Sequence, residues 1–281
     1  MNKRTASIFK HLFLAILAAA ILLPLLYTVA SSFKTNSEIM AHPERIFPAE
    51  PTFDNYRQVW NSSKFSVKHM LWNSVYYTVA NVFITLVLSS MGGYVFARGH
   101  FPGKKVIFAV FCSLLFVNLG TIVMHPYFQV LMGLGIDRGL PSLLLIKCFG
   151  IPVANFYLVR SFISRIPYEI DEAAKIDGCS FGQIFFKIIL FMLQPILATI
   201  AILTFQASWN DYMMPMIFTM TKPLQRTLIV GVVALKSTGE AASSWNLMLA
   251  GTTVSLLPVL VIYIVCNRYF VEGIASGAVK G

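Results

Sequence analysis

Charge is scarce in this 281-residue sequence: 12% of its residues are Asp, Glu, Lys or Arg, against 57% that are hydrophobic. A soluble domain carries roughly a quarter charged residues, so this composition excludes a water-soluble globule. Cysteine is equally sparse. The four present (Cys112, Cys148, Cys179, Cys266) are scattered and fall mostly in apolar stretches, which excludes a disulfide framework and any metal-ligand spacing. The Gly-rich phosphate loop that ends in Gly-Lys-Ser or Gly-Lys-Thr is missing, so any ATP that powers this protein is bound by another chain. Carboxylates are missing from the apolar stretches, apart from Asp211 near the end of one. An ion-coupled or stand-alone carrier normally places such groups inside its spans. No catalytic, cofactor-binding or metal-binding residue is expected.

What is present is long apolar sequence. Residues 12–33, 71–97, 106–124, 188–210 and 241–267 contain no charged side chain, and 139–159 contains only Lys147. A membrane-spanning helix needs about 20 apolar residues. The expectation is an all-α membrane protein with six transmembrane helices, at about 12–33, 71–97, 106–125, 140–160, 188–217 and 243–267. The formal charge of +10 reads as a membrane signature, not as a sign of nucleic acid, because Lys and Arg collect in cytoplasmic loops. With the N-terminus inside, Lys3, Arg4, Lys10, Arg98, Lys104, Lys105 and Arg160 fall on the cytoplasmic side, as do Arg165, Lys175 and Lys187. Both termini are then cytoplasmic. The basic N-terminus resembles a signal peptide, but the apolar run is too long for one, so an uncleaved first span is expected.

Residues 34–70 form a polar outside segment broken by Pro43, Pro48 and Pro51. In the second span Ser89, Gly93 and Ala97 stand four residues apart, a spacing that lets helices approach closely. That serves either packing within the chain or an interface with another subunit. Arg98 to Lys105 is a short basic turn with Pro102, as a cytoplasmic hairpin requires.

Between Arg160 and Ile188 the composition turns polar. Pro167 fits the first turn of a helix, and Glu169, Asp171 and Glu172 follow where carboxylates complement the positive helix end. Ile166, Ile170, Ala173 and Ala174 fall on one face, with Asp171 and Lys175 paired at i,i+4 on another. Gly178 supplies a left-handed stop. Ser180 with Gln183 fits a capping box that starts a second helix. Such an element is either a knob that docks in a cytoplasmic partner's groove or a helix lying on the bilayer surface.

Glu172-Ala173-Ala174, then Gly178, then Ile188 and Leu190 resemble the EAA loop of ABC importer permeases, here over residues 164–190. The match departs at Phe191, where proline is usual; the nearest proline is Pro195. Further matches stand in order: Ser31 to Lys34, Asn55-Tyr56, Asn73-Ser74, Gly93 to Arg98, Trp209 to Asp211, and Gly273 to Gly281. Together they resemble the MalG-like carbohydrate permeases over nearly the whole chain.

The resemblance implies an ABC type I importer (MetI-like) permease fold in a bacterial or archaeal inner membrane. It implies a second, MalF-like permease, two cytoplasmic ATPases that hold ATP and Mg, an extracytoplasmic solute-binding protein and a carbohydrate substrate, within membrane lipid. The coupling residues are then Glu169, Glu172, Ala173, Ala174, Asp177 and Gly178. Transport proceeds by alternating access, the region near Thr221 to Ser244 faces the binding protein, and the tail at Gly277 to Gly281 touches the ATPases.

Two features remain outside that reading. Gly178-Cys179-Ser180-Phe181-Gly182 formally matches the Gly-x-Ser-x-Gly elbow of a hydrolase, which works only on a strand-turn-helix corner with a base in reach. Lys147 and the trio Trp209, Asn210 and Asp211 are polar groups within or beside spans. Each either lines the substrate route or serves packing: Lys147 by lying shallow or pairing with a neighbour, the trio by hydrogen bonding within the bundle.

Overall fold

The computed structural model describes residues 3–61, 66–117, 120–237 and 244–278. Every regular element among them is helical. In chain order they are α1 (Lys3–Ser31), α2 (Asn36–Ala41), α3 (Asp54–Asn61), α4 (Val67–Arg98), α5 (Lys104–Leu114), α6 (Met124–Gly133), α7 (Leu140–Phe149) and α8 (Val153–Ile163). Then come α9 (Glu169–Ile176), α10 (Phe181–Ile184), a π-helical turn (Phe185–Ile189), α11 (Leu190–Met192) and α12 (Gln194–Trp209). Last are α13 (Met213–Phe218), α14 (Leu228–Ser237) and α15 (Trp245–Ala278), and two 3-10 turns, Gly120–Val123 and Pro223–Gln225, precede α6 and α14. Helices satisfy their own backbone groups, which is why apolar sequence of this length adopts them.

Among the described residues, three stretches are long and apolar enough to cross a membrane: Ser7–Ser31, Val67–Arg98 and Trp245–Val265. Two bent pairs also qualify, α7 with α8 at 43° and the Phe181–Met192 helix with α12 at 74°, which raises the number to five. The span expected over 106–125 is not a single helix. α5 ends at Leu114, and Gly120 adopts a φ of +53°, a left-handed conformation that ends helical continuity. Pro126 lies in the first turn of α6, where it lacks no needed N–H.

The bend at Leu193–Gln194 bears on the departure at Phe191. Pro195 stands in the first turn of α12. The chain therefore turns a few residues after the place where the EAA pattern usually has its proline.

The chain divides into two compact units, Met1–Leu71 with Thr227–Pro258, and Trp72–Arg226 with Val259–Gly281. In the first, Val59, Val67, Met70, Leu228, Val232 and Ala250 form the core. The matched segments Ser31–Lys34 and Asn55-Tyr56 meet here. The buried Asn55 side chain donates to the carbonyls of Ser32 at 2.7 Å and Lys34 at 2.8 Å, and accepts from Asn246 at 2.7 Å. Tyr56 and Ser32 hydroxyls pair at 2.6 Å. The fully buried Lys34 donates to the Arg45 carbonyl.

Among its described residues the second unit has two cores. Tyr77, Leu131, Leu140, Leu143, Leu144 and Phe218 pack in one. The other joins Tyr94 with residues of α8, α9 and the helix leading to α12. α4 and α8 approach very closely: a Cβ on Gly93 would stand 2.6 Å from Val159 Cγ1. Of the two readings of the small-residue spacing, Gly93 serves contact within the chain. Gly93→Val overpacks that contact and should destabilise by about 1–3 kcal/mol, read as a lower midpoint in thermal unfolding of the purified complex. Gly92→Ala faces the Phe156 ring edge at 3.1 Å, which can yield, and should change the midpoint much less.

Candidate coupling loop and polar cavity

Residues 164–190 fold as a capped helical corner. Tyr168 is the N-cap of α9, and its carbonyl accepts from the N–H groups of Asp171 at 3.0 Å and Glu172 at 3.1 Å. Pro167 therefore stands just outside the helix and not in its first turn. Gly178 takes a φ of +79° after α9, with open space where a Cβ would be. The capping box is reciprocal: the Gln183 N–H donates to Ser180 Oγ at 3.4 Å and the Ser180 N–H to Gln183 Oε1 at 2.7 Å. Ser180 is thus a helix cap between two helices, and no strand-turn-helix corner exists there.

The end of α4 holds this corner. Arg98 Nε lies 3.0 Å from Asp171 Oδ2, with side chains only 9% and 3% exposed. The same guanidinium donates to the Ile166 carbonyl at 2.7 Å and lies over the Tyr168 ring at 5.2 Å. One turn back, the Tyr94 hydroxyl donates to the Phe181 carbonyl at 3.1 Å, and its ring packs on Phe181 and Phe185 at 4.5 and 5.1 Å. α9 is therefore fixed at one side of Gly178 by Arg98, and α10 at the other by Tyr94. The expected Asp171–Lys175 pair does not form. Asp171 turns inward to Arg98, and Lys175 donates to the Tyr168 hydroxyl at 3.1 Å.

This pairing decides which face of α9 looks outward. Asp171 and Ala174 are buried, whereas Glu169, Glu172, Ala173 and Ile176 are exposed, at the i, i+3, i+4, i+7 spacing of one face. Ala173 thus parts from Ala174, contrary to the expected grouping. Ile176 is 87% exposed. Asp177 and Gly178 are exposed beside it.

A cavity of about 370 Å³ lies elsewhere in the same unit, lined by Asn81, Lys147, Asn155, Thr204, Ser208 and Asp211 among others. The Asn81 amide donates to Ser208 Oγ at 2.7 Å. Asp211 Oδ2 accepts from the Tyr77 hydroxyl at 2.7 Å, and its Oδ1 accepts from the Met214 N–H at 3.3 Å, the first turn of α13.

With this geometry in place, comparison with known proteins decides the family. Residues 90–275 match the model of the binding-protein-dependent transport system inner membrane component. The chain belongs to that family. It is 33% identical to the probable ABC transporter permease protein YurM of Bacillus subtilis (strain 168), over 98% of this chain and 88% of that protein. It is 30% identical to the arabinooligosaccharides transport system permease protein AraQ of Halalkalibacterium halodurans, over the full length of both. The trehalose transport system permease protein SugB of Mycobacterium tuberculosis is 32% identical, over 92% of this chain and 93% of that protein. Among solved structures, a chain of a bacterial ABC transporter that imports the acidic polysaccharide alginate superposes with a TM-score of 0.80 at 25% identity. The superposition covers 95% of this chain and 97% of that one.

The inner-membrane component thus presents two groups of the expected residues. Glu169, Glu172, Ala173, Asp177 and Gly178 share the outer surface of the capped corner, with Ala174 buried beneath. Lys147 and Asp211 line one cavity. Trp209 and Asn210 end α12: Trp209 is buried and stacked on Phe205 at 5.6 Å, and the Asn210 amide donates to the Gln206 carbonyl at 2.9 Å. Sequence reasoning missed Arg98, Tyr94 and Ile176. Both Tyr94 and Arg98 stand in the matched segment Gly93 to Arg98, and Arg98 also counts among the cytoplasmic charges, but neither is assigned a contact with the loop. The place of Arg98 at the end of an apolar helix was a usable signal. The segment 238–243 and the last residues, 279–281, lie outside the described residues, so the readings of the loop near Thr221 to Ser244 and of the tail rest on sequence.

Arg98→Met leaves the Asp171 carboxylate buried without its partner. The expected cost is about 3–5 kcal/mol, read as faster proteolysis within residues 164–190. Adding Asp171→Leu should restore much of the resistance, since two apolar side chains replace the pair.

Proposed function

We propose that this chain is one permease half of an importer that moves a sugar or oligosaccharide into the cytoplasm by alternating access. The single observation that carries the coupling role is the exposed face of α9 on a corner braced to α4. A rigid knob with two carboxylates, an alanine and a protruding isoleucine suits a groove in a cytoplasmic partner. Bracing by Arg98 and Tyr94 means that a push on α9 moves a membrane helix as well.

In this reading the partners are a second MalF-like permease, two ATPases that bind ATP and Mg, and an extracytoplasmic binding protein. This chain itself holds no cofactor and performs no catalysis. The membrane is crossed six times, with α5 and the segment up to α6 supplying the third crossing, and both termini lie in the cytoplasm. The region near Thr221 to Ser244 meets the binding protein. Sugar as the substrate class is supported by relatives named for arabinooligosaccharides and trehalose. The cavity beside Lys147 and Asp211 is the part of the route that this chain supplies.

Glu172→Lys reverses a charge on the outer face of α9, and Gly178→Asp puts a side chain on a left-handed corner that has none. Either change should lower ATP-driven uptake about tenfold or more, the loss typical of a contact at the centre of an interface. The measurement is uptake in proteoliposomes together with co-purification of the ATPases. Unchanged uptake and assembly in both variants would refute the coupling role.

A further inference from the structure

Lys147 is the one charged residue between Gly139 and Val159. It lies in the last turn of α7, and the helix breaks at residues 150–152 before α8 begins. A second, smaller cavity of about 240 Å³ reaches this break and shares Asn81 and Lys147 with the first. Irregular backbone at membrane depth is tolerated where it lines a cavity, and broken helices mark binding sites in transporters.

The ammonium needs a counter-charge there. A lone Lys inside a bilayer costs about 3 kcal/mol on insertion scales. The carbonyl end of α7 offers only about half a charge. The cavity holds one cation and one carboxylate that form no ion pair: Asp211 keeps its charge while its oxygens accept from Tyr77 and Met214, and the Lys147 ammonium has no ion-pair partner within 4.0 Å among the described residues. Around it, Asn155 and Thr204 supply amide and hydroxyl groups of the kind that bind sugar hydroxyls.

We infer that this cavity is a subsite for the anionic group of an acidic saccharide, with the Lys147 ammonium donating to a carboxylate or phosphate oxygen. The inference rests on the importer reading and narrows its substrate class. Lys147 acts in selection, since an anionic group receives a charge-assisted hydrogen bond from the ammonium that a neutral hydroxyl cannot match.

The test uses the whole complex, with its binding protein, in proteoliposomes supplied with ATP. Three probes are compared: trigalacturonate (carboxylate), glucose 6-phosphate (phosphate) and maltotriose (neutral). One acidic probe should be taken up in preference to maltotriose, and which one it is identifies the anionic group. Lys147→Met should cut its uptake about tenfold or more, as expected for a hydrogen bond to a charged group. Lys147→Arg should retain most of it, and both variants should still co-purify with the partner subunits. A preference for maltotriose, or acidic uptake that Lys147→Met leaves unchanged, overturns the inference while leaving the importer reading intact. Loss of the second permease from the Lys147→Met complex also overturns it, by assigning Lys147 to an ion pair between subunits. Uptake of none of the three probes overturns the inference alone, since the sugars named for the relatives, arabinooligosaccharides and trehalose, are not among them.

Discussion

Arg98 ends the long helix α4, and its guanidinium is shared among the Asp171 carboxylate, the Ile166 carbonyl and the Tyr168 ring. A buried pair of this kind is weak evidence for net stability, because removing two charges from water costs nearly what their attraction returns. Its value lies in geometry. A planar guanidinium that reaches three groups at once admits few arrangements of the loop around it. The direction in which α9 presents Glu172 and Ile176 follows from this one residue.

Tyr94 completes the brace through the Phe181 carbonyl and the aromatic stack on Phe181 and Phe185. The left-handed Gly178 lies between the two anchors and makes no side-chain contact. The corner is therefore held from α4 as well as by its own caps. Close packing of α4 on α8 through Gly93 ties the same helix to the segment that leads into the loop. The exposed face of α9 and the apolar helices α4 and α8 are thus packed together within this unit.

Polar groups inside the apolar region follow a different rule. Most are consumed locally, because an unpaired polar group away from water costs more than a hydrogen bond returns. Asp211 binds Tyr77 and caps α13, Asn210 closes α12, and Asn81 meets Ser208. Lys147 departs from that pattern, and it does so at a helix break that borders two cavities.

Much was legible in the sequence because it depends on neighbours along the chain. Apolar length announced membrane helices, Ser180 with Gln183 announced a cap, Gly178 announced a left-handed corner, and the EAA spacing announced the loop. The crossings were read less well at 106–125 and near Pro195, since a helix break depends on a few residues that hydropathy averages away. Side-chain partners were not legible. Asp171 has Lys175 four residues on and Arg98 seventy-three residues back, and periodicity sees only the nearer cation. By itself the sequence determined the helical class, the capped corner and the family pattern, because these rest on local backbone chemistry and composition. The tertiary structure alone decided which face of α9 is exposed and which polar residues share a cavity. Those outcomes depend on contacts between residues far apart in the chain, and burial selects among such partners only once the helices pack.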